Sequence, residues 1–224
     1  MDLKAATTPL ILFSGMGADE RVFAAQRAEF PNLLVPAWID PRPRESLAEY
    51  ARRLAARIDP KCPCVIGGAS FGGMAAIEVA RHLNARACVL IGSVRSPEQF
   101  PMALRAARGG AGAAAFAPFE LACWLAWVHV PMFGWCSSPA TRAFLRQAAD
   151  ADARFLRWAA WAVFTWRPVP LDLPVFHIHG GRDRILPCRH VRPDQIIADA
   201  GHVLSVSHPR ELNDFLRQAI ARAP

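Results

Sequence analysis

Short apolar segments alternate with helical segments along most of this chain, and this alternation restricts the possible folds more than any other feature of the sequence. The apolar segments are predicted strands, and the segments with an apolar stripe or a run of helix-forming residues are predicted helices. The predicted strands are 9–14, 32–38, 62–68, 86–93, 173–180 and 194–199, and the predicted helices are 21–30, 45–58, 72–84 and about 209–222. Because the strands are apolar on both faces, we predict an α/β fold with a mostly parallel sheet of about six strands flanked by helices.

Residues 94–172 interrupt the alternation with a long segment that has a helical pattern and holds most of the tryptophans of the chain. We predict that this segment is a helical cap inserted into a core domain that consists of residues 1–93 and 173–224. A cap with an apolar inner face would line a substrate pocket, and we expect Trp124 and Trp127 to contact the substrate there.

The run from 111 to 135 within this segment is nearly continuously apolar and has the length of a membrane span. Pro118 and Pro131, together with Glu120 inside the run, argue against a spanning helix. Contact of an aromatic helix with a membrane surface is an alternative, which we favour less than a cap over a pocket.

The net charge of +7 comes from arginines that are interspersed with acidic residues rather than collected in one run. Such a distribution is typical of solvated helix faces. No basic stretch alternates with aromatic residues, and the sequence has no nucleic-acid-binding motif. We therefore expect no nucleic-acid partner.

The six cysteines do not have the spacing of a zinc site, because the pair Cys62 and Cys64 has no second pair to complete it. Most of the cysteines lie in apolar segments, so we expect reduced, buried thiols and no bound metal. The N-terminal stretch has an apolar core that is too short for a secretory signal. Together these features predict a cytoplasmic protein.

The stretch VIGGASFGGMAA, residues 65–76, places one serine among glycines between a predicted strand and a predicted helix. Residues 68–72 fit the pattern G-x-S-x-G, in which small neighbours permit a sharp turn that raises the serine above the sheet. The helix that follows would direct its N-terminus at any negative charge that forms beside Ser70. We predict that Ser70 is a nucleophile; a phosphate-binding glycine turn and a plain strand–helix connection remain alternatives.

With this motif in its strand–turn–helix context, the chain resembles the α/β-hydrolase family. The resemblance implies an α/β-hydrolase fold with a shortened N-terminus, and a catalytic serine, acid and histidine in that order along the chain. The segment HIHGGRDRILP resembles the acid loop of the family, which implies that Asp183 is the acid. The segment ADAGHVLSVSHPRELNDFL resembles its terminal Gly-His segment, which implies that His202 is the general base.

Other residues of the same types lie at nearby positions. Asp194, Asp199 and Glu98 are alternatives for the acid, and Asp183 would then only stabilise a turn. His177 and His179 alternate along a predicted strand, where we expect them to have a packing role.

The loop after the first strand, in LFSGMGADERVF, is the fourth element of the resemblance. The family often has His-Gly where this chain has Ser14-Gly15, and that histidine often braces the loop. The resemblance implies that the backbone N–H groups of Met16 and Phe71 form the oxyanion hole. Only backbone groups are needed there, so Ser14 is compatible with activity.

Together these residues predict a serine hydrolase that cleaves an ester or thioester with an apolar acyl or aromatic group, through an acyl-enzyme on Ser70. We expect a small-molecule substrate and no metal or organic cofactor; the oligomeric state is left open. Acyl transfer, amide hydrolysis and C–C bond hydrolysis use the same three residues and are alternatives. A non-catalytic ligand-binding protein with this scaffold is an alternative from another functional class.

Overall fold

The structure, a computed structural model, describes residues 8–108 and 151–224. Its centre is a six-stranded sheet in which every neighbouring pair of strands is parallel, in the order β2-β1-β3-β4-β5-β6. The strands are β1 (Leu10–Phe13), β2 (Leu33–Leu34), β3 (Cys64–Ala69), β4 (Ala85–Ile91), β5 (Val175–Gly180) and β6 (Gln195–Ile197). The predicted α/β fold with a parallel sheet is confirmed.

Helices cover both faces of the sheet. The α-helices are α1 (Ala24–Glu29), α2 (Leu47–Ile58), α3 (Phe71–Ala80), α4 (Met102–Arg108), α5 (Ala153–Thr165), α6 (Leu204–Ser207) and α7 (Pro209–Arg222), and short 3₁₀ helices span Glu20–Phe23, Pro97–Gln99 and Cys188–His190. The buried side chains form two apolar clusters, one that includes α2, α3 and α5 and one that includes α6 and α7. The sheet separates the two clusters because its central strands are apolar on both faces.

Helix α2 shows how the sequence pattern produces an element. Its buried residues, Leu47, Tyr50, Ala51, Leu54 and Ala55, recur at helical spacing and therefore share one face. The helix begins with a capping box, in which the side chains of Ser46 and Glu49 each accept a hydrogen bond from the other residue's backbone N–H.

Strand β2 is shorter than the predicted strand 32–38, because only Leu33 and Leu34 pair with β1. Pro36 follows shortly afterwards and has no N–H to donate to a ladder. The apolar residue Trp38 therefore lies outside the sheet, where its ring packs against Phe13.

The register of the central strands brings their carboxyl ends to one edge of the sheet. Phe13 is aligned with Gly68, and Ile91 is aligned with both Ala69 and Ile178. In parallel sheets ligands bind at this edge, beyond the ends of the strands. Met16, Ser70, Asp183 and His202 lie in the segments that follow β1, β3, β5 and β6 at this edge.

Within the predicted cap segment 94–172, the structure describes α4 and α5. Arg108 of α4 donates hydrogen bonds to the carbonyl oxygens of Val163 and Trp166, which join α4 to the end of α5. Trp124 and Trp127 lie outside the described residues, so their assignment to the substrate pocket stays a prediction, as do the boundaries of the cap. In the two described parts of the chain, no helix has the length and apolar character needed to cross a bilayer.

Candidate active site

Ser70 occupies a sharp turn between β3 and α3. Its φ of 53° and ψ of −120° lie in a backbone region that residues other than glycine rarely adopt. The turn is tight enough that a Cβ atom on Gly68 would overlap the backbone of Gly72, and one on Gly72 would overlap the carbonyl oxygens of Phe13 and Ser14. These two glycines therefore permit the turn that lifts the hydroxyl of Ser70 above the sheet.

Hydrogen bonds to the main chain hold this strained turn. The N–H of Ser70 donates to the carbonyl oxygen of Ile91 at 3.0 Å, and the carbonyl oxygen of Ser70 accepts from the hydroxyl of Ser93 at 2.7 Å. Gly73 donates its N–H to the same carbonyl at 3.0 Å. The strain at Ser70 is thus supported by the neighbouring strand β4 and by the loop that follows it.

Asp183 and His202 are brought together by two loops that follow β5 and β6. The Nδ1 atom of His202 lies 2.7 Å from Oδ2 of Asp183. The other carboxylate oxygen, Oδ1, accepts hydrogen bonds at 2.9 Å from the backbone N–H groups of Ile185 and Leu186. The carboxylate is therefore fixed from both sides, and its orientation is set by the fold of the loop.

The surroundings of Asp183 keep its side chain ionised. Burial raises the pKa of this carboxyl, but the attraction of His202 and the hydrogen bonds of the site lower it by more, so that the pKa lies well below its ordinary value. A carboxylate can only accept hydrogen bonds, so Nδ1 of His202 carries a proton. In the neutral ring, Nε2 then holds the lone pair that can accept a proton from a hydroxyl.

Ser70 and His202 line the same cavity, which has a volume of about 260 Å³. Met16 and Phe71, the residues predicted to supply the oxyanion N–H groups, line it too. The rest of the described lining is mostly apolar and includes Val22, Met74, Phe100, Leu104, Val163, Ile185, Leu186 and Leu204. Among the described lining residues there is no lysine, arginine, aspartate or glutamate, so the cavity favours a neutral, apolar group.

The loop after β1 is braced by a contact that the sequence did not predict. The hydroxyl of Ser14 donates to the carbonyl oxygen of Ala18 at 2.8 Å and accepts from the indole N–H of Trp38 at 3.1 Å. A Cβ atom placed on Gly15 would lie 3.6 Å from Cβ of Ser70, so this loop passes directly beside Ser70. Ser14, at the sequence position that the family resemblance gives to a histidine, is thus tied to both the loop and Trp38.

The alternative acids have other partners. Asp194 accepts a hydrogen bond from the backbone N–H of His177 at 2.7 Å, and Asp199 lies 3.4 Å from Nε2 of His208. The side chain of Glu98 is only slightly buried and accepts a hydrogen bond from Ser96, which lowers its pKa. Asp183 is the carboxylate that the structure places against His202.

His177 and His179 are fully buried on β5, as expected for packing residues, but His179 also contacts the site. Nε2 of His179 lies 3.3 Å from Oδ2 of Asp183. The alternation of histidine with apolar residues along a strand was the only signal in the sequence for this contact. In the described parts of the chain, no group of three histidine, cysteine, aspartate or glutamate side chains is placed to hold a metal ion.

Comparisons with known proteins agree with this architecture. Residues 10–215 match the profile of the alpha/beta hydrolase family. No curated protein sequence matches the chain significantly.

Solved structures with the same fold include enzymes described as esterases. A thermophilic esterase from Thermogutta terrifontis superposes with a TM-score of 0.74 at 20% identity, over 98% of this chain and 91% of that one. An esterase from Exiguobacterium antarcticum gives 0.75 at 14% identity, over 97% and 93%, and MenH from S. aureus gives 0.76 at 15% identity, over 97% and 95%. At identities this low, the superpositions show a shared fold and nothing finer. The family profile, in addition, covers most of the sequence. The chain therefore belongs to the alpha/beta hydrolase family.

Proposed function

We propose that this protein is a serine hydrolase that cleaves a small ester or thioester with an apolar acyl or aromatic group. The observation that carries the proposal is the shared cavity: Ser70 and His202 both line it, and His202 contacts the buried carboxylate of Asp183 at 2.7 Å. Membership of the alpha/beta hydrolase family and the esterases among the structural relatives support the same reaction class.

In the proposed reaction, Nε2 of His202 takes the hydroxyl proton of Ser70 as Oγ attacks the carbonyl carbon of the substrate. The backbone N–H groups of Met16 and Phe71 donate hydrogen bonds to the oxyanion, and the N-terminus of α3 adds a favourable dipole. The protonated histidine then gives its proton to the leaving alcohol or thiol. Asp183 remains ionised and stabilises the imidazolium throughout.

The second half of the reaction releases the acyl group. A water molecule loses a proton to His202 and attacks the acyl-enzyme, and the collapse of the second tetrahedral intermediate returns the proton to Ser70. The uncharged lining of the cavity supports an acyl part without a charged group, since an unpaired charge would lose its hydration there. We also assign Trp124 and Trp127 to the part of the pocket that contacts this acyl group, on the basis of their position in the aromatic cap segment.

Replacement of the nucleophile is the direct test of the proposal. Ser70→Ala removes Oγ, and we expect a loss of roughly 10³-fold or more in kcat for ester hydrolysis, together with loss of labelling by a fluorophosphonate probe. The matched control is Ser207→Ala, which changes an exposed serine of α6 and should keep both activity and labelling. Hydrolysis at the wild-type rate by folded Ser70→Ala would refute the proposed function.

A further inference from the structure

Two fully buried histidines lie next to each other on one face of β5, and the proposed reaction does not use them. Nε2 of His177 lies 3.1 Å from Nδ1 of His179, and the two rings meet nearly edge to face at a centroid distance of 5.2 Å. Nε2 of His179 lies 2.7 Å from the carbonyl oxygen of Leu186 and 3.3 Å from Oδ2 of Asp183. This histidine pair therefore ends at the carboxylate that faces His202.

The contacts of the pair determine where its protons lie. Both neighbours of Nε2 in His179 are acceptors, a carbonyl and a carboxylate oxygen, so this nitrogen carries the proton. In the neutral ring Nδ1 is then an acceptor, and His177 donates its Nε2–H to it. Nδ1 of His177 is a buried nitrogen without a hydrogen-bond partner, so the tautomers of the pair follow from the contacts of His179.

The protonation state of His177 agrees with this arrangement. Burial, assisted by His179 and Arg95, lowers the pKa of His177 to about 3, so its ring is neutral at ordinary pH. His177 thus holds His179 in the single tautomer that directs an N–H at the acid loop.

With this tautomer, the carboxylate of Asp183 is surrounded by N–H groups. Oδ1 accepts from the backbone N–H groups of Ile185 and Leu186, while Oδ2 faces His202 at 2.7 Å and His179 at 3.3 Å. The two backbone bonds hold the carboxylate in place, and His179 contacts the same loop through the carbonyl oxygen of Leu186. The N–H of His179 has the carbonyl oxygen of Leu186 as its nearer acceptor, at 2.7 Å, and at 3.3 Å it also acts on the charge of Oδ2, the oxygen that faces His202.

We propose that His179 is a positioning residue of the hydrolase, an inference that rests on the function proposed above. Its N–H lies near Oδ2 of Asp183, the oxygen that also faces His202. By compensating part of the charge of this oxygen, it keeps His202 in its neutral, proton-accepting form to lower pH. A carboxylate whose charge is partly compensated attracts an imidazolium less strongly. Without His179, the same carboxylate would hold the proton of His202 more tightly. His177 supports this role through the tautomer of His179.

Other ionisable groups near the pair leave this effect intact. They are Cys188, whose pKa is raised by burial and by Asp183, Arg95, which lies 3.8 Å from Asp194, and Asp194 itself, which accepts the backbone N–H of His177. Arg95 contacts Asp194 and the carbonyl oxygen of Val175, and Asp194 accepts the backbone N–H of His177, while the raised pKa of Cys188 keeps its thiol neutral at pH 7.

The test is an NMR titration of His202 in protein with labelled histidine, with the resonance assigned by its loss in His202→Asn. His179→Leu removes the N–H, and His179→Asn places its amide near the position of Nδ1 and leaves the position of Nε2 empty. In both variants we expect the pKa of His202 to rise by about 0.5 unit, because Oδ2 loses the nearby N–H of His179 and its negative charge is then less compensated. The acid limb of the pH profile of kcat/KM should move upward by the same amount.

His179→Gln is the matched control, because its terminal amide N–H takes the place of Nε2 and should restore the wild-type titration. An unchanged or lowered pKa of His202 in folded His179→Leu and His179→Asn would overturn the inference and leave His179 as a packing residue. The titration needs no substrate, so its outcome is separate from that of the proposed function, which fails instead if Ser70 is not needed for hydrolysis.

Discussion

The hydroxyl of Ser14 has a role that depends on a residue far along the chain. Its side chain is buried and bridges the carbonyl of Ala18 and the indole N–H of Trp38, which shapes the loop that carries Met16. The indole ring also packs against Phe13 and Phe155 at centroid distances of 5.6 Å and 5.2 Å. The position of the proposed oxyanion donor is thus linked to the aromatic cluster under α5.

Trp38→Phe tests this link, because it removes the N–H and keeps most of the aromatic packing. We expect kcat for ester hydrolysis to fall about fivefold with KM little changed, since a lost buried hydrogen bond costs about 1 kcal/mol and the oxyanion forms only in the transition state. Michaelis parameters for a short acyl ester provide the measurement. A rise in KM at constant kcat would instead indicate that Trp38 contributes only to the shape of the pocket.

The residues of the candidate site differ in how well the sequence predicted their positions. Ser70, Asp183 and His202 lie in segments whose glycines, order and flanking elements identify them from the sequence, and the structure places the last two in contact. Trp38 and His179 could not be assigned, because their contacts join residues whose proximity depends on the folded sheet. A strand pattern gives the face on which a side chain lies, but it does not give its partner across the structure.

At the scale of elements, the sequence predicted those with a clear period and missed the contacts between them. Helix α7 spans Pro209–Arg222, as predicted, and α3 ends at Ala80 rather than at residue 84. The described part of the cap segment is held to the core by two indole N–H groups: Trp158 donates to the carbonyl oxygen of Glu45 at 2.7 Å, and Trp166 donates to Oε1 of Glu78 at 2.8 Å. No periodicity in the sequence indicates such bonds, because their partners are far apart along the chain.

The bond between Glu78 and Trp166 makes the joint between α3 and the end of α5 sensitive to pH. Burial raises the pKa of Glu78, against the opposing effects of the Trp166 hydrogen bond and Arg81. Between pH 4.5, the ordinary pKa of this carboxyl, and the raised pKa of the folded protein, Glu78 has lost its proton in the unfolded chain but retains it in the folded chain. The contribution of Glu78 to stability is therefore present at low pH and is lost as the pH rises through the folded-state pKa.

Glu78→Gln keeps an acceptor for the indole of Trp166 and cannot ionise. We expect a melting temperature a few degrees above that of the wild type at pH 8, with a smaller gain near pH 4.5, because only the wild type carries the cost of a buried charge. Glu78→Leu is the comparison variant, which leaves the indole N–H without its acceptor and should melt below the wild type. Equal melting temperatures of wild type and Glu78→Gln at both pH values would contradict the proposed cost of ionisation.

For the molecule as a whole, the histidine pair predicts how stability changes with acid. His177 has an ordinary pKa of 6.5, which burial in the folded protein lowers to about 3. Below pH 6.5 the unfolded chain binds a proton that the folded chain excludes. The stability due to this group is therefore full above pH 6.5 and is lost progressively as the pH falls towards 3.

Between pH 6 and pH 5, the effect of His177 on stability is separate from that of Asp183. The pKa of Asp183 lies below its ordinary value of 3.8, so the stabilisation from this residue is lost only at lower pH. The pKa of His82 is also lowered by burial and by neighbouring arginines, but a variant at position 177 leaves that contribution unchanged. A comparison of wild type and variant therefore isolates the proton of His177.

His177→Gln is the variant that tests this, because its amide N–H takes the place of Nε2 and still donates to His179, while the side chain cannot be protonated. Below pH 6, the proton of His177 should lower the free energy of unfolding of the wild type with a slope that approaches about 1.4 kcal/mol per pH unit. The variant should lack this part of the slope. Urea unfolding at pH 8, 6, 5.5 and 5 gives the measurement, with the values at pH 8 as the internal reference for any cost of the substitution itself. Parallel pH dependences of the two proteins would show that His177 is protonated in the folded state as readily as in the unfolded chain, and the tautomer assigned to the pair would then be wrong.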